Sequence, residues 1–409
     1  MEQLSIILFQ LFLQQSKSFK YLMEQVYFDS AATTQMHNEV IESMALSMKN
    51  CYGNPSSTHS FGRQAKTAIE SSRKQIAKIL NVSASEIIFT SGGTEADNLV
   101  LRSSVKDLGV SEIITSKIEH HAVLHTVEEL QNEFGIKVSY VNLTEDGSVD
   151  LPHLEYLLSS NEALKLVSLM HVNNEIGNIL DLDHVCKLCK TNNALFHSDT
   201  VQCIGHYKID LQKTPVDFIA VSAHKFHGPK GVGFAYIRKN SGLKASIFGG
   251  QQERGLRAGT ESIHNIVGLQ VALELAYKHL EEEKKYIESL KSYFKQQIKD
   301  LIPGVLFNGA CADFSSSTYT LLNVRLPISQ EKAPLLQFQL DLKGIACSKG
   351  SACQSGSVGG SHVLRAILSP EELTKPSLRF SFSKYNTKSD IDYVLSILNE
   401  FVNQNVLVG

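Results

Sequence analysis

Ser222-Ala-His-Lys-Phe-His-Gly-Pro-Lys-Gly-Val-Gly233 sets one lysine among small and hydrogen-bonding residues, between two apolar runs. The run before it, Asp217-Phe-Ile-Ala-Val221, and the run after it, Val232-Gly-Phe-Ala-Tyr-Ile237, each read as a buried strand. Lys225 is therefore expected on the turn that joins them. An amine held in a partly dry pocket has its charged form disfavoured, which frees it to act as a nucleophile or to form a Schiff base. A basic loop that binds phosphate, or binds nothing, is the competing reading, and this stretch alone does not separate the two.

Working outward, short apolar runs recur at Glu86-Ile-Ile-Phe-Thr90, Ile113-Ile114, Ile136-Lys-Val-Ser-Tyr-Val141, Leu166-Val-Ser-Leu-Met170 and Ala194-Leu-Phe196, with helical segments between them. That alternation predicts an α/β fold with a mostly parallel sheet, whose ligand site lies at the carboxyl ends of its strands. His120, Asn174, Asp199 and Lys225 all follow strand-like runs. Between Gln64 and Leu80 the apolar positions Ala65, Ala68, Ile69, Ile76, Ile79 and Leu80 fit one helix face. Ser91-Gly-Gly-Thr94 joins a strand to a helix start, which suits either an anion on backbone N–H groups or a plain βα turn. Val26-Tyr-Phe28 is a further short strand, leading into Asp29 and the small-residue turn Ser30-Ala-Ala-Thr-Thr34. From Val271 to about Ile302 the chain is charged and helix-favouring, and it leads into a smaller C-terminal domain.

With 409 residues, 43% of them hydrophobic and 20% charged, the chain has room for a substantial core divided into two domains. A net charge of −3 without a Lys/Arg-rich block gives no footprint for direct nucleic-acid binding. Seven cysteines, neither dense nor regularly spaced, suit a reducing cytoplasm better than a disulfide scaffold. Leu4-Ser-Ile-Ile-Leu-Phe-Gln-Leu-Phe-Leu13 is apolar but too short to span a bilayer, and it lacks the basic flank of a secretory signal. Cys186-Lys-Leu-Cys189 has the spacing of a redox pair or half a zinc site. It lies in a helix-like stretch with no second such pair, so core-facing thiols are expected and no metal, since a structural zinc needs four ligands.

Further motifs appear in a fixed order: Phe28-Asp-Ser-Ala-Ala-Thr-Thr34, Gly53-Asn-Pro-Ser-Ser57, Ser91-Gly-Gly-Thr-Glu-Ala-Asp-Asn98, His171-Val-Asn-Asn-Glu-Ile-Gly177, Ser222-Ala-His-Lys225, Arg257-Ala-Gly-Thr-Glu261 and Gly350-Ser-Ala-Cys353. In these the chain resembles, from about Val26 onward, the cysteine desulfurase family, the NifS- and IscS-like pyridoxal-phosphate (PLP) enzymes of the class-V aminotransferase-like group. The resemblance implies the PLP-dependent transferase fold, aspartate aminotransferase-like. It also implies a large PLP-binding domain over residues 36–280 and a smaller α+β domain formed by 24–35 and 281–409. Residues 1–23 precede it, as an upstream extension or a mis-assigned start.

By the same resemblance Lys225 bonds the cofactor and later moves protons, and Asp199 partners the ring nitrogen. Read without it, Asp199 is equally a helix N-cap. His120 stacks on the ring and serves as acid or base, while His121 beside it is incidental. Asn174 and Gln202 lie near the ring's phenolic oxygen, and Thr94, Ser222 and His224 bind the phosphate. Thr260 reaches the phosphate of the other subunit, which implies a homodimer, although Ser262 stands where the family often has Asn. Arg379 grips the substrate carboxylate through its planar fork, where a structural ion pair is the bland reading.

Cys353 lies in the Gly- and Ser-rich stretch Ser348–Ser361, whose composition suits a mobile carrier loop like that of the NifS and IscS group. It takes the sulfur as a persulfide, and Cys347, six residues earlier, could close a disulfide with it. The activity implied is conversion of L-cysteine to L-alanine. The sulfur would then pass to an acceptor protein, an iron–sulfur scaffold or a tRNA-thiolation protein. The alternatives are a selenocysteine lyase or another sulfur-removing PLP lyase and, from another class, a noncatalytic redox or zinc protein built on Cys186 and Cys189.

Overall fold

The structure, a computed structural model, describes residues 25–349 and 360–404. Its strands in chain order are β1 (Val26–Tyr27), β2 (Ile87–Thr90), β3 (Glu112–Thr115), β4 (Lys137–Tyr140), β5 (Lys165–Ser168), β6 (Leu195–Asp199), β7 (Phe218–Ser222), β8 (Gly233–Ile237), β9 (Leu306–Phe307), β10 (Leu321–Arg325), β11 (Ile345–Ala346) and β12 (Ser377–Ser381). Seven of them form one sheet in the order β2-β8-β7-β6-β5-β3-β4. All neighbours in it are parallel except β8, which runs antiparallel to both β7 and β2. The central strands β7 and β8 are buried at every position, which is why their sequences are continuous apolar runs rather than alternating ones.

The two runs flanking Lys225 are these antiparallel neighbours, with Ser222 opposite Gly233, and the turn between them opens with a 3₁₀ turn at Ala223–Lys225. Glycine is required at 233. A Cβ there would lie 2.1 Å from the Val221 carbonyl oxygen and 2.8 Å from Gly92 Cα, so only a bare backbone lets β8 close against the glycine turn.

Helices cover the large sheet. The periodic stretch expected over 64–80 is the helix Ser60–Ile79, entered through His59, whose side chain accepts from Gly62 N. The long charged segment expected from 271 to 302 is two helices, Ile263–Lys278 and Leu280–Leu301, broken at His279. The break falls where the packing partner changes. Ile266, Leu269 and Leu273 join the core under the large sheet, whereas Ile287, Phe294 and Ile298 join a second core. That second core surrounds the antiparallel β9-β10-β12 sheet and also takes in Val26 and Phe28, because β1 pairs in parallel with β11. The sequence after β1 is thereby delivered to the mouth of the large sheet.

Candidate active site

The carboxyl ends of the parallel strands open into a cavity of about 460 Å³, within the size range of small-molecule sites. Thr94, His120, Asn174, Asp199, Gln202, Ser222, His224, Lys225 and Arg379 all line it. Two of the residues singled out from sequence are not among them. Thr260 is exposed and lies outside the lining, and Cys353 falls outside the described residues.

Lys225 is half-buried, and its Nζ donates to the carbonyl oxygens of Ala31 (2.6 Å) and Ala32 (2.9 Å). These carbonyls belong to the turn that follows β1, and Gln202 Nε2 donates to Ala31 as well. Asp199, the last residue of β6, is buried, and its Oδ1 accepts from Val201 N at 2.9 Å. The capping-type contact and the cavity position therefore coexist in one side chain. Burial pushes the Asp199 carboxyl up to about 6, against the lowering effects of the Val201 N–H and of Lys225.

His120 caps the helix His121–Phe134, its Nδ1 accepting from Ala122 N at 3.1 Å. With Nδ1 engaged as an acceptor, the neutral ring carries its hydrogen on Nε2. Burial first, then the charge of Lys225, hold its pKa down near 4, so the ring is neutral at physiological pH. His121 lies off the cavity and packs on His125 and His362, with ring centroids 4.6 and 4.4 Å away.

The glycine turn sets the helix Gly93–Leu108 with its N-terminus toward the cavity and no side-chain cap. A Cβ on Gly93 would come within 2.6 Å of Val201 Cγ2, so the close approach again demands glycine. Ser222 and His224 stand beside this helix start, and burial holds His224 neutral, with a pKa near 4. Glu95, next to Thr94, accepts from Ser91 N and pairs with Arg257 (Nε to Oε1, 2.8 Å), tying the Arg257–Glu261 segment to the same turn.

Arg379, on β12 and 1% exposed, donates from Nη2 to Asp29 Oδ1 and from Nη1 to the Asn174 carbonyl, both at 2.8 Å, while its buried Nε has no partner. The structural ion pair and the cavity-facing donor are thus the same residue. Asp29 Oδ1 also accepts from Ser348 Oγ at 2.9 Å. From sequence Asp29 reads only as a turn residue. The motif Phe28–Thr34 was the available signal, but the arginine lies far away in the chain. Asp97 likewise carries no signal of its own within Ser91–Asn98, yet it is buried and lines the cavity beside Asp199.

These residues fit PLP. An amine, a buried carboxylate and an open helix N-terminus with hydroxyl and imidazole neighbours meet in one cavity. The Aminotransferase class-V family profile matches residues 26–394. A cysteine desulfurase IscS from Dictyoglomus turgidum is 39% identical over 385 residues, covering 94% of this chain and 96% of that protein. The chain belongs to the cysteine desulfurase family.

Enzymes of this family depend on PLP. A solved NifS-like protein superposes on this desulfurase with a TM-score of 0.85 at 38% identity, over 93% of this chain and all of that one. A structure of SspA in complex with cysteine gives 0.75 at 32% identity, over 88% and 99% of the two chains. In the desulfurase Cys186 and Cys189 are buried in the large core, as their helical spacing predicted, and burial pushes both thiols upward, Cys186 to about 12. Among the described residues no helix is long and apolar enough to cross a membrane.

Proposed function

We propose that this desulfurase converts L-cysteine to L-alanine in the cavity at the carboxyl ends of its large sheet and leaves the sulfur as a persulfide on Cys353. The observation that carries the reading is the meeting of Lys225, Asp199 and the unpartnered Nε of Arg379 in one cavity. PLP, when bound, supplies the electron sink that lets the α-carbon of the substrate lose a proton and its β-carbon part from sulfur.

Lys225 would bond the cofactor, and its Nζ would serve as the base that takes the α-proton. Asp199 would hold the proton on the ring nitrogen, and His120 would present its Nε2–H to the cavity. Asn174 and Gln202 would flank the ring oxygen. Thr94, Ser222 and His224 would take the phosphate with the helix N-terminus, completed by Thr260 from the second subunit of a homodimer. Arg379 would bind the substrate carboxylate through Nε and an Nη, drawing on the fork that Asp29 now holds in place. The Cys353 thiolate then attacks the substrate sulfur. The S–S bond would form as the Cβ–S bond breaks, the electron pair would stay with the β-carbon, and one proton delivered there with one returned to the α-carbon would complete alanine.

The division into a large unit, 36–280, and a smaller unit, 24–35 with 281–409, is supported by the two cores and the helix break at His279. The persulfide would pass to an acceptor protein serving iron–sulfur assembly or tRNA thiolation. The test is alanine release by the PLP-loaded protein. Stoichiometric alanine and persulfide from L-cysteine support the reading, whereas turnover of selenocysteine alone contradicts it.

A further inference from the structure

Three carboxylates are buried in or next to the cavity lining: Asp97 (1% exposed) and Asp199 (7%), which line it, and Glu119 (2%), which precedes the lining residue His120. They interact, since Asp97 feels the charges of both others and Glu119 feels that of Asp199. Like charges so placed do not all ionise, and the proton goes to the group least supported as an anion. The three differ sharply in that support. Asp199 receives the Val201 N–H, and Lys225 lowers its pKa further. Glu119 receives Ser116 Oγ–H on Oε1 (2.7 Å) and the Met170 N–H on Oε2 (2.8 Å).

Asp97 Oδ1 accepts from no donor. It lies 3.4 Å from Nε2 of His197, a fully buried ring whose Nε2 is equally unpartnered and whose Nδ1 meets Ser168 Oγ at 2.9 Å. These two orphaned atoms satisfy each other only if a hydrogen lies between them.

We infer that Asp97 is a positioning residue that carries a proton at neutral pH and donates it to His197 Nε2, leaving Asp199 as the anion of the cavity floor. His197 then turns its Nδ1–H to Ser168 Oγ, and the Asp97–His197 pair adds no charge beneath Asp199. Burial favours the neutral form of both members, raising the Asp97 carboxyl well above the usual carboxylate range and lowering the imidazole to about 3. The inference deepens the assignment of Asp199 to the cofactor's ring nitrogen and rests on it for its purpose, though not for its measurement.

The experiment is infrared spectroscopy of the PLP-loaded full chain in D₂O at pH 7, observing the carbonyl stretch of protonated carboxylic acids. In the unmutated protein, ¹³C-carboxyl labelling of aspartate must shift part of that band, and a band blind to the label overturns the inference even if no variant folds. Asp97→Asn, isosteric with the neutral acid, is expected to remove the labelled component, and Asp199→Asn to leave it. The reverse pattern overturns the inference. PLP absorbance gives the second readout. Asp97→Asn should keep the wild-type pH dependence of the bound-cofactor spectrum and Asp97→Ala should lose it, while equal behaviour of the two would mean only a packing role and would also overturn it. If Asp199→Asn leaves the cofactor spectrum unaltered, the ring-nitrogen assignment fails separately, whatever the infrared band shows.

Discussion

At the scale of single residues, Lys225 and Arg379 make separable claims. Lys225→Ala removes an amine that reaches the Ala31 and Ala32 carbonyls rather than a core side chain. The variant is expected to fold and to lose the covalent link to PLP. Borohydride reduction followed by peptide mapping checks this, and a PLP-labelled peptide from the variant would refute the assignment. Arg379→Ala deletes a charge-assisted carboxylate contact of roughly 1.5–3 kcal/mol, so kcat/KM for cysteine should fall about ten- to a hundredfold. The loss should fall mainly on KM if the contact is made equally in ground and transition states, with cofactor absorbance kept. These residues were legible because each carries a chemistry that few side chains supply, within a short motif. Asp29 and Asp97 were not, because their roles come from pairing with Arg379 and His197, far away in the chain, and no local pattern encodes such a meeting.

At the scale of elements, the strands of the large sheet and the helix Ser60–Ile79 followed from apolar runs and periodicity, to within a few residues at each end. The loop before Thr260 did not. Its backbone turns through positive φ at Glu253 (+44°) and Arg254 (+61°), a conformation costly for residues other than glycine. What holds it is a buried carboxylate. Glu253 receives Arg73 Nη1 and Nη2 at 2.7 Å each, and the Phe89 N–H of β2 at 2.7 Å. Both side chains of this pair are at most 2% exposed, so removing Glu253 leaves the buried Arg73 guanidinium with only Glu70 (3.1 Å) and the Ile87 carbonyl (2.7 Å). Glu253→Ala should therefore destabilise the fold by about 3–5 kcal/mol in urea unfolding. A loss below 1 kcal/mol would mean that the loop is held by other contacts. The sequence shows Glu253 among polar neighbours, and only the tertiary partner reveals it as a clamp.

At the scale of the whole molecule, stability should pass through a maximum near pH 6.5. His120, His171, His197, His224 and His227 are held neutral by burial, their pKa values lowered to between about 3 and 4. The unfolded chain protonates them below about 6.5, so stability rises with pH from about 4 to 6.5. Asp97, Glu119 and Asp199 act oppositely. Their folded pKa values are raised, Glu119 to about 8, so the folded state holds the extra protons and stability falls as pH rises toward 8. The histidines outnumber the carboxyls below 6.5 and drop out above it. Thermal unfolding across pH 5–8 checks the shape, and a monotonic rise to pH 8 would contradict it.

Residues of the site and its surroundings also meet both ends of the stretch that holds Cys353. Ser348, on one side of it, bonds Asp29, and on the other side His362 Nε2 meets the Glu119 carbonyl at 2.9 Å. The most direct test of the central claim is mass spectrometry of the PLP-loaded protein after incubation with L-cysteine. The account predicts one added sulfur on the peptide bearing Cys353. In Cys353→Ser it predicts a retained PLP link without persulfide or alanine, and in Cys347→Ser full activity. Wild-type alanine release by Cys353→Ser, with the added sulfur on Cys347 or elsewhere, would contradict it.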